Sequence, residues 1–449
     1  MQPTILKIFY RSSTWRNVAC SIFLIVTLFT YLSYREFKQP NFFLYDDNAN
    51  FFLPYYVYNW RTLVQNRTIP LINWHQFLGQ TYLAQGQSSV LYPPVYLAVG
   101  LSSLLFNNYF SSIDILVFFH LLVSVVATFY LLRRLQVSAL ISTLSSLLWI
   151  TMPMLTTISR AWINFSYLAA YLPLNFIALE FFLKKPSLKK ALILAIIKSL
   201  LFYQGYVQHE FIVVVAEITF FLAFIISHLR KLHSSDIIRL CSYLTLSYFF
   251  LFFFIAPQLL PMIFAQQTSQ FRSQPIIFSE FIYGHITPGL FVQAQKFVFL
   301  PRTMHGASSH LIYTGPFVLA FLGLALIERF RKKLGSGNAT CYFFVAGTFL
   351  LITSDLYGLL YSVPFFNLFR WPFKYYPVFL FFTVISLAQI LQVLTSNHRP
   401  SGRAAVHAVL FLSLFLNIQV SRHATSEVFG PWSIDRPPFA TTCLKSIKN

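Results

Sequence analysis

Long stretches almost free of charge decide what this chain can become. Runs of about 17–24 residues with hardly an ionisable side chain recur along it, each long enough to cross a hydrocarbon core of about 30 Å. They stand at 18–34, 113–132, 139–157, 167–183, 191–207, 210–228, 240–263, 312–328, 339–359, 375–394 and 404–420. A bilayer admits only helices and closed barrels, because every backbone polar group must be satisfied internally. The expected fold class is therefore all-α: a polytopic transmembrane helical protein with about 11 spans (10–13). It forms a single transmembrane domain over 1–420, followed by a short outer tail at 421–449. The first run reads as a retained span, since no small-x-small cleavage site follows at Ser33-Tyr34-Arg35-Glu36.

Charge sets the orientation. The 449 residues carry 33 Lys+Arg against 13 Asp+Glu, a net charge of +20. A balance this basic raises nucleic acid as a partner. Only 10% of the chain is charged, however, and 52 residues are Phe, so as a soluble domain it would expose aggregating patches. The expected partner is the lipid bilayer, with no nucleic acid. With the N-terminus cytoplasmic, the clusters Lys7/Arg11/Arg16, Arg133/Arg134, Lys184/Lys185/Lys189/Lys190, Arg230/Lys231/Arg239, Arg329/Arg331/Lys332/Lys333 and Arg399/Arg403 all fall on one side. That is the positive-inside pattern of cytoplasmic loops. The same parity makes 90–106, which opens with Pro93 and Pro94, an interfacial or re-entrant element on the outer side. Two large loops, 35–112 with juxtamembrane helices and 264–311, then lie outside, and loops of that length are where function concentrates. The four cysteines imply no disulfide framework. No P-loop or Gly-rich nucleotide fingerprint is present, so ATP-driven transport and nucleotide-sugar chemistry are not expected.

With so few acids, each can be weighed. Glu36, Asp114, Glu180, Asp236, Glu328, Asp355, Glu427 and Asp435 read as interfacial or structural. Asp46 and Asp47 differ, being adjacent and just beyond the first span, before a stretch (49–66) able to lie on the membrane surface as an amphipathic helix. A catalytic acid pair and an Asp cap on that helix fit equally well. Glu210 and Glu217 share a face of one span, and an intramembrane acid calls for a partner, for which Lys198 is a candidate. Glu210 closes the polar turn QGYVQHE (204–210) and is the better site candidate of the two. Among outer bases, Arg160, Arg272, Arg370 and Lys374 lie beside span ends with few acids nearby. Each alone fits a headgroup anchor, whereas several converging would suit a phosphate. His285, His305 and His310 match no tight metal spacing, and no metal ligand set is assigned. Trp60, Trp74, Trp162 and Trp371 fit an interfacial aromatic belt, although sugar-stacking surfaces also use such residues.

The order of these pieces resembles the YfhO-type bacterial membrane proteins of the GT-C class of lipid-linked-sugar glycosyltransferases. The similarity runs through DDNANFFLP, IPLINWHQFLGQTYLAQGQSSVLYPPVYL, a span ending FYLLRRL, AAYLPLNFIALE, QGYVQHE, PQLLPMIFAQQTSQFR, IYTGPFVLAFLGL and LFRWPFKYY, in order over roughly 40–390. The resemblance implies a GT-C-like fold in a bacterial cytoplasmic (inner) membrane, with the active face outside. The implied activity moves a sugar from a polyprenyl-phosphate donor to a cell-envelope glycan, lipid or protein acceptor. By the same resemblance Asp47, or its neighbour Asp46, is the catalytic acid of the first loop, Arg370 belongs to the Arg-x-Pro motif and Gln208 to the Gly-x-x-Gln turn. Arg370, Lys374, Arg160 and Arg272 become the candidate phosphate contacts, and Gln208, His209, Glu210, Trp74 and Tyr92 the candidate substrate contacts. The cofactor is open; Asp46 offers a ligand for a divalent cation such as Mg or Mn. Two rival readings stand beside this one, a lipid-linked-sugar flippase or secondary transporter, and a non-catalytic envelope assembly subunit.

Overall fold

A computed structural model describes residues 3–76, 79–229, 232–269, 274–295, 312–315, 319, 323, 337–397 and 400–429. Within them the chain is all-α apart from one two-residue strand pairing, and the helices follow the apolar runs. Helix α1 (Pro3–Lys38) shows why. Leu24, Leu28 and Leu32 recur every four residues and are buried where the helix meets α4 (Ser111–Arg134) and α5 (Ala139–Ile150). That spacing lines one side of a helix. Ile22, Phe23, Val26 and Phe29 on its other sides stay exposed. A helix apolar all round is at home in lipid rather than in water.

Among the described residues, six helices are long and apolar enough to cross a membrane: Trp15–Lys38, Ser111–Arg134, Asn164–Lys184, Val207–His228, Ser234–Thr268 and Pro372–Thr395. The pair Ala139–Ile150 and Pro153–Arg160, bent by 46°, makes a seventh if it is one broken span. The expected crossings at 191–207, 339–359 and 404–420 are helical over shorter apolar lengths, Leu188–Tyr203, Gly337–Ile352 and Val406–Arg422. The one at 312–328 lies mostly outside the described residues. Helix α3 (Pro93–Phe106) begins with its two prolines, where the missing N–H groups cost nothing. Its length of about 21 Å is less than the hydrocarbon thickness.

Polar contacts fix the bundle where apolar surface cannot discriminate, since lipid tails compete equally for it. On α7 (Asn164–Lys184) the Ala169 carbonyl accepts from the Ser124 hydroxyl of α4 at 2.7 Å, and the Trp149 indole of α5 donates to that same hydroxyl at 2.9 Å. Glu217 of α9 (Val207–His228) is fully buried and collects three donors. Lys198 of α8 (Leu188–Tyr203) lies at 2.9 Å, the Tyr248 hydroxyl of α10 (Ser234–Thr268) at 3.0 Å and the Asn175 amide of α7 at 2.9 Å. Glu180 accepts from the Tyr342 hydroxyl at 2.8 Å. The buried acids Glu180 and Glu217 thus join helices to one another.

The two ends of the bundle differ. At one end Arg133 donates to Asn17 of α1 at 3.0 Å, the Arg134 guanidinium lies 3.4 Å over the Phe181 ring, and Arg239 reaches the Pro186 carbonyl. At the other end lies the first long loop. The Glu36 carboxylate accepts from the backbone N–H groups of Asn41 and Phe42, and Asp114 from that of Phe43 at 2.9 Å. These two acids fold the chain back after α1. A π-type turn (Asn48–Phe52) then leads into α2 (Leu53–Asn66), followed by a small hairpin that pairs Ile72 with Thr81.

Candidate active site

The acid pair sits between α1 and α2 on a short turn held from below. Asn48, fully buried, donates its amide to the carbonyls of Phe43, Ser159 and Arg160 at 2.8, 2.8 and 2.9 Å, and accepts from the Ile163 N–H at 2.8 Å. Its own backbone N–H donates to the Ala161 carbonyl. One side chain therefore fastens the acidic turn to the 158–163 turn that precedes α7. The consequence falls on the neighbours: Asp47 comes to lie close to Trp162, whose indole N–H favours its ionised carboxylate.

Trp162 carries the arrangement across to the far end of the chain. Its indole stacks on that of Trp371 with centroids 5.6 Å apart and planes 4° apart, and Phe373 stacks against both. Lys374 follows three residues after Trp371, at the start of the Tyr376–Asn397 helix's lead-in turn, and is only 2% exposed. Its ammonium lies 4.2 Å from the Trp371 centroid, 4.6 Å from that of Tyr206 and 5.6 Å from that of Trp162. It donates to the Tyr206 hydroxyl and to Gln208 Oε1, the latter at 3.3 Å. Gln208 in turn donates to the Arg370 carbonyl at 2.9 Å, and the Arg370 guanidinium lies 4.2 Å over Trp371. The His209 ring packs between Phe165 and Tyr206. Trp371 holds its place with φ +70°, in the left-handed region that costs a side-chain-bearing residue about 1–2 kcal/mol.

Electrostatics follow from this packing. Partial burial pushes the Asp47 carboxyl above the usual carboxylate range, and the Asp46 charge pushes it the same way; the Trp162 N–H and the Lys374 charge pull it back by less. Asp46, more exposed and with a left-handed backbone at φ +47°, is also shifted upward by what burial it has. A carboxylate raised in this way is a better proton acceptor in its ionised form. Among the described residues no group of three or more His, Cys, Asp or Glu side chains is placed to hold a metal ion.

The structure therefore brings together Asp47, Gln208, His209, Arg370 and Lys374, with Asp46 at the rim. The other expected residues lie elsewhere. Arg160 is buried beneath the acidic turn, donating to the Phe42 carbonyl at 3.0 Å with its guanidinium over the Phe42 and Tyr45 rings. Glu210 is buried one turn into α9 with neither carboxylate oxygen hydrogen-bonded. Tyr92 is fully buried, its hydroxyl bonded to His120 at 2.5 Å and Tyr171 at 2.9 Å. Trp74 is 69% exposed on the hairpin, its ring against Gly79. Arg272 lies outside the described residues. Nothing in the sequence separates Asn48 from other amides, and Trp162 and Trp371 read there as belt or sugar-stacking residues. The legible signal was that both tryptophans sit next to a singled-out base, in SRAWIN and FRWPFK.

No protein-family model matches the chain, and none of the curated proteins matches it. What the fold and the site define is thus a class: an all-α chain whose apolar helices are compatible with a multi-pass membrane protein, carrying an acid, a caged lysine and stacked tryptophans at the end of the bundle opposite its basic loops.

Proposed function

We propose that this protein is a membrane glycosyltransferase of the GT-C kind. In this reading it has about 11 spans in a bacterial inner membrane, its N-terminus is cytoplasmic, and it acts on the outer face. It moves a sugar from a polyprenyl-phosphate donor to a cell-envelope acceptor. The observation that carries the reading is the placement of Asp47 and Lys374 close to the Trp162–Trp371 stack, with Arg370 over Trp371.

The chemistry needs two things. A polyprenyl phosphate is already a good leaving group, so the demanding step is removing the proton from an acceptor hydroxyl as it attacks the anomeric carbon. Asp47, its carboxyl raised by burial and by Asp46, takes that proton. The bond from the anomeric carbon to the phosphate oxygen breaks as the new glycosidic bond forms, and the departing phosphate takes the bonding pair and gains a negative charge. Lys374 and Arg370 stabilise that charge as it develops, in a setting largely shielded from water. Displacement from the opposite side inverts the anomeric centre. Asp46 supplies the second charge that tunes Asp47, and a divalent cation at its exposed carboxylate fits the same scheme.

A transporter would work through charges near the membrane midplane. Here Lys198 and Glu217 are joined to each other and to Tyr248 and Asn175, so the structural role accounts for them. The test uses the purified chain in nanodiscs with polyprenyl-phosphate-sugar donors and envelope acceptors. Transfer with inversion that is lost in Asp47→Asn supports the reading. Wild-type transfer rates in both Asp47→Asn and Asp46→Asn overturn it. Deleting the gene and analysing envelope glycans and accumulated lipid-linked sugars by mass then names the sugar.

A further inference from the structure

Lys374 is positioned to meet an anion, yet it is covered. Three aromatic rings surround its ammonium, and the indole of Trp371 is the nearest of them. The cover is held at a cost in backbone conformation, since Trp371 has φ +70° and Phe365, a few residues before it, has φ +71°. Such left-handed conformations in bulky residues persist only where surroundings enforce them, and they concentrate in segments that switch. What Trp371 covers is itself informative. Trp162 and Trp371 lie in near-parallel planes as an offset stack, centroids 5.6 Å apart, while the Trp162 N–H lies close to Asp47. A flat ring resting on Trp162 in place of Trp371 would have a carboxylate at its edge and a lysine beside it.

We propose that Trp371 is a self-ligand: its indole fills the subsite of the substrate's sugar ring, and a glycosyl phosphate displaces it to stack its ring on Trp162 with its phosphate on Lys374. The inference rests on the reading that Lys374 receives a phosphate, and it adds the sugar subsite and the element that closes it. Pyranose rings have an apolar face of C–H groups suited to an aromatic plane, so the site selects a ligand with both a flat ring and an anion. A phosphate without a ring meets Lys374 but leaves Trp162 uncovered. Relief of the left-handed backbone at residue 371 accompanies displacement and offsets part of the loss of the indole stack.

The experiment follows the accessibility of Lys374 in the full chain in nanodiscs. Acetylation by N-hydroxysuccinimidyl acetate is timed by peptide mass analysis, with thermal melting as the folding control. Without ligand, Trp371→Ala is expected to speed labelling of Lys374 by about tenfold or more, while Trp371→Phe, which keeps a stacking ring, stays near wild type. Unchanged labelling in Trp371→Ala overturns the cover. Farnesyl phosphate and farnesyl phosphoglucose are then compared as protecting probes in Trp371→Ala. The sugar-bearing lipid is expected to protect at about threefold lower concentration or better, an advantage that Trp162→Ala abolishes. Equal protection by the two lipids overturns the sugar subsite. Faster labelling in Trp371→Ala with no protection by either lipid separates the outcomes: the cover stands, and the phosphate reading of Lys374 fails with the subsite that rests on it.

Discussion

At the scale of single residues the site is governed by two side chains whose energies oppose each other. Asp47 is held partly buried beside a like charge, which raises its carboxyl pKa in the folded protein. A raised folded-state pKa means the folded form binds the proton more tightly than the unfolded one. The contribution to stability is therefore present below the unfolded pKa and is lost as pH rises through the folded value. Once ionised, Asp47 is a burden on the fold. Asp47→Asn is accordingly expected to lower transfer by about 10²–10⁴-fold while leaving the melting temperature at pH 7.5 equal to or above that of the wild type. A drop in melting temperature would show a structural acid, the helix-cap role that the sequence left open; no cap hydrogen bond from Asp47 is present on the turn that follows. The same shift makes the base ionise above the ordinary carboxylate value of about 4, so the acidic limb of the transfer rate lies higher than that. Asp46→Asn removes one of the two causes and moves that limb to lower pH, which a rate–pH profile reads directly.

Elements are joined by buried polar contacts, and their removal should cost more than any surface change. Asn48 ties the turn before α2 to the turn before α7 through both ends of its amide. Asn48→Leu removes the side-chain partner of the Ser159 carbonyl and of the Ile163 N–H, each group left unsatisfied costing about 1–3 kcal/mol where water does not reach. It should lower thermal stability and weaken transfer together, because Asp47 loses its fixed position against Trp162. Lys198→Met leaves Glu217 buried with only neutral partners, for which the expected loss is about 3–5 kcal/mol, measured by denaturation in mixed micelles. If instead that variant kept its stability and lost substrate movement across liposomes, the transporter reading would gain. Packing between α2 and α3 gives a simpler case. A Cβ at Gly100 would lie 2.7 Å from Trp60 Cη2, so Gly100→Ala is expected to cost about 1–3 kcal/mol through overpacking.

For the whole molecule the prediction concerns sidedness. Arg133 and Arg134 of α4 and Arg239 of α10 contact Asn17 of α1, Phe181 of α7 and Pro186 at one end of the bundle, and the acid–tryptophan–lysine site lies at the other. The positive-inside pattern then predicts that a Cys introduced by Lys189→Cys reacts only with reagents reaching the cytoplasm, and one introduced by Trp74→Cys only with those outside. Labelling of intact cells and of inverted vesicles decides it, and the reverse pattern would place the site on the cytoplasmic face.

Much of this was legible in the chain itself. Apolar runs of membrane length, with few acids between basic clusters, determine an all-α polytopic architecture, because the bilayer leaves the backbone no alternative to internal hydrogen bonding. The same scarcity of carboxylates drew attention to Asp46 and Asp47. Pairing across helices was not legible. Periodicity says which face of a helix is apolar, but in lipid an apolar face has no preferred neighbour. Only the tertiary structure decided that the candidate partner Lys198 does reach Glu217, that Arg160 lies beneath the acidic turn, and that Tyr92 is spent on His120 and Tyr171. It also decided the central fact of the site, the meeting of residues 47, 162 and 371–374. These lie far apart in sequence, and they are brought together by hydrogen bonds of Asn48 and by aromatic stacking that no local pattern encodes.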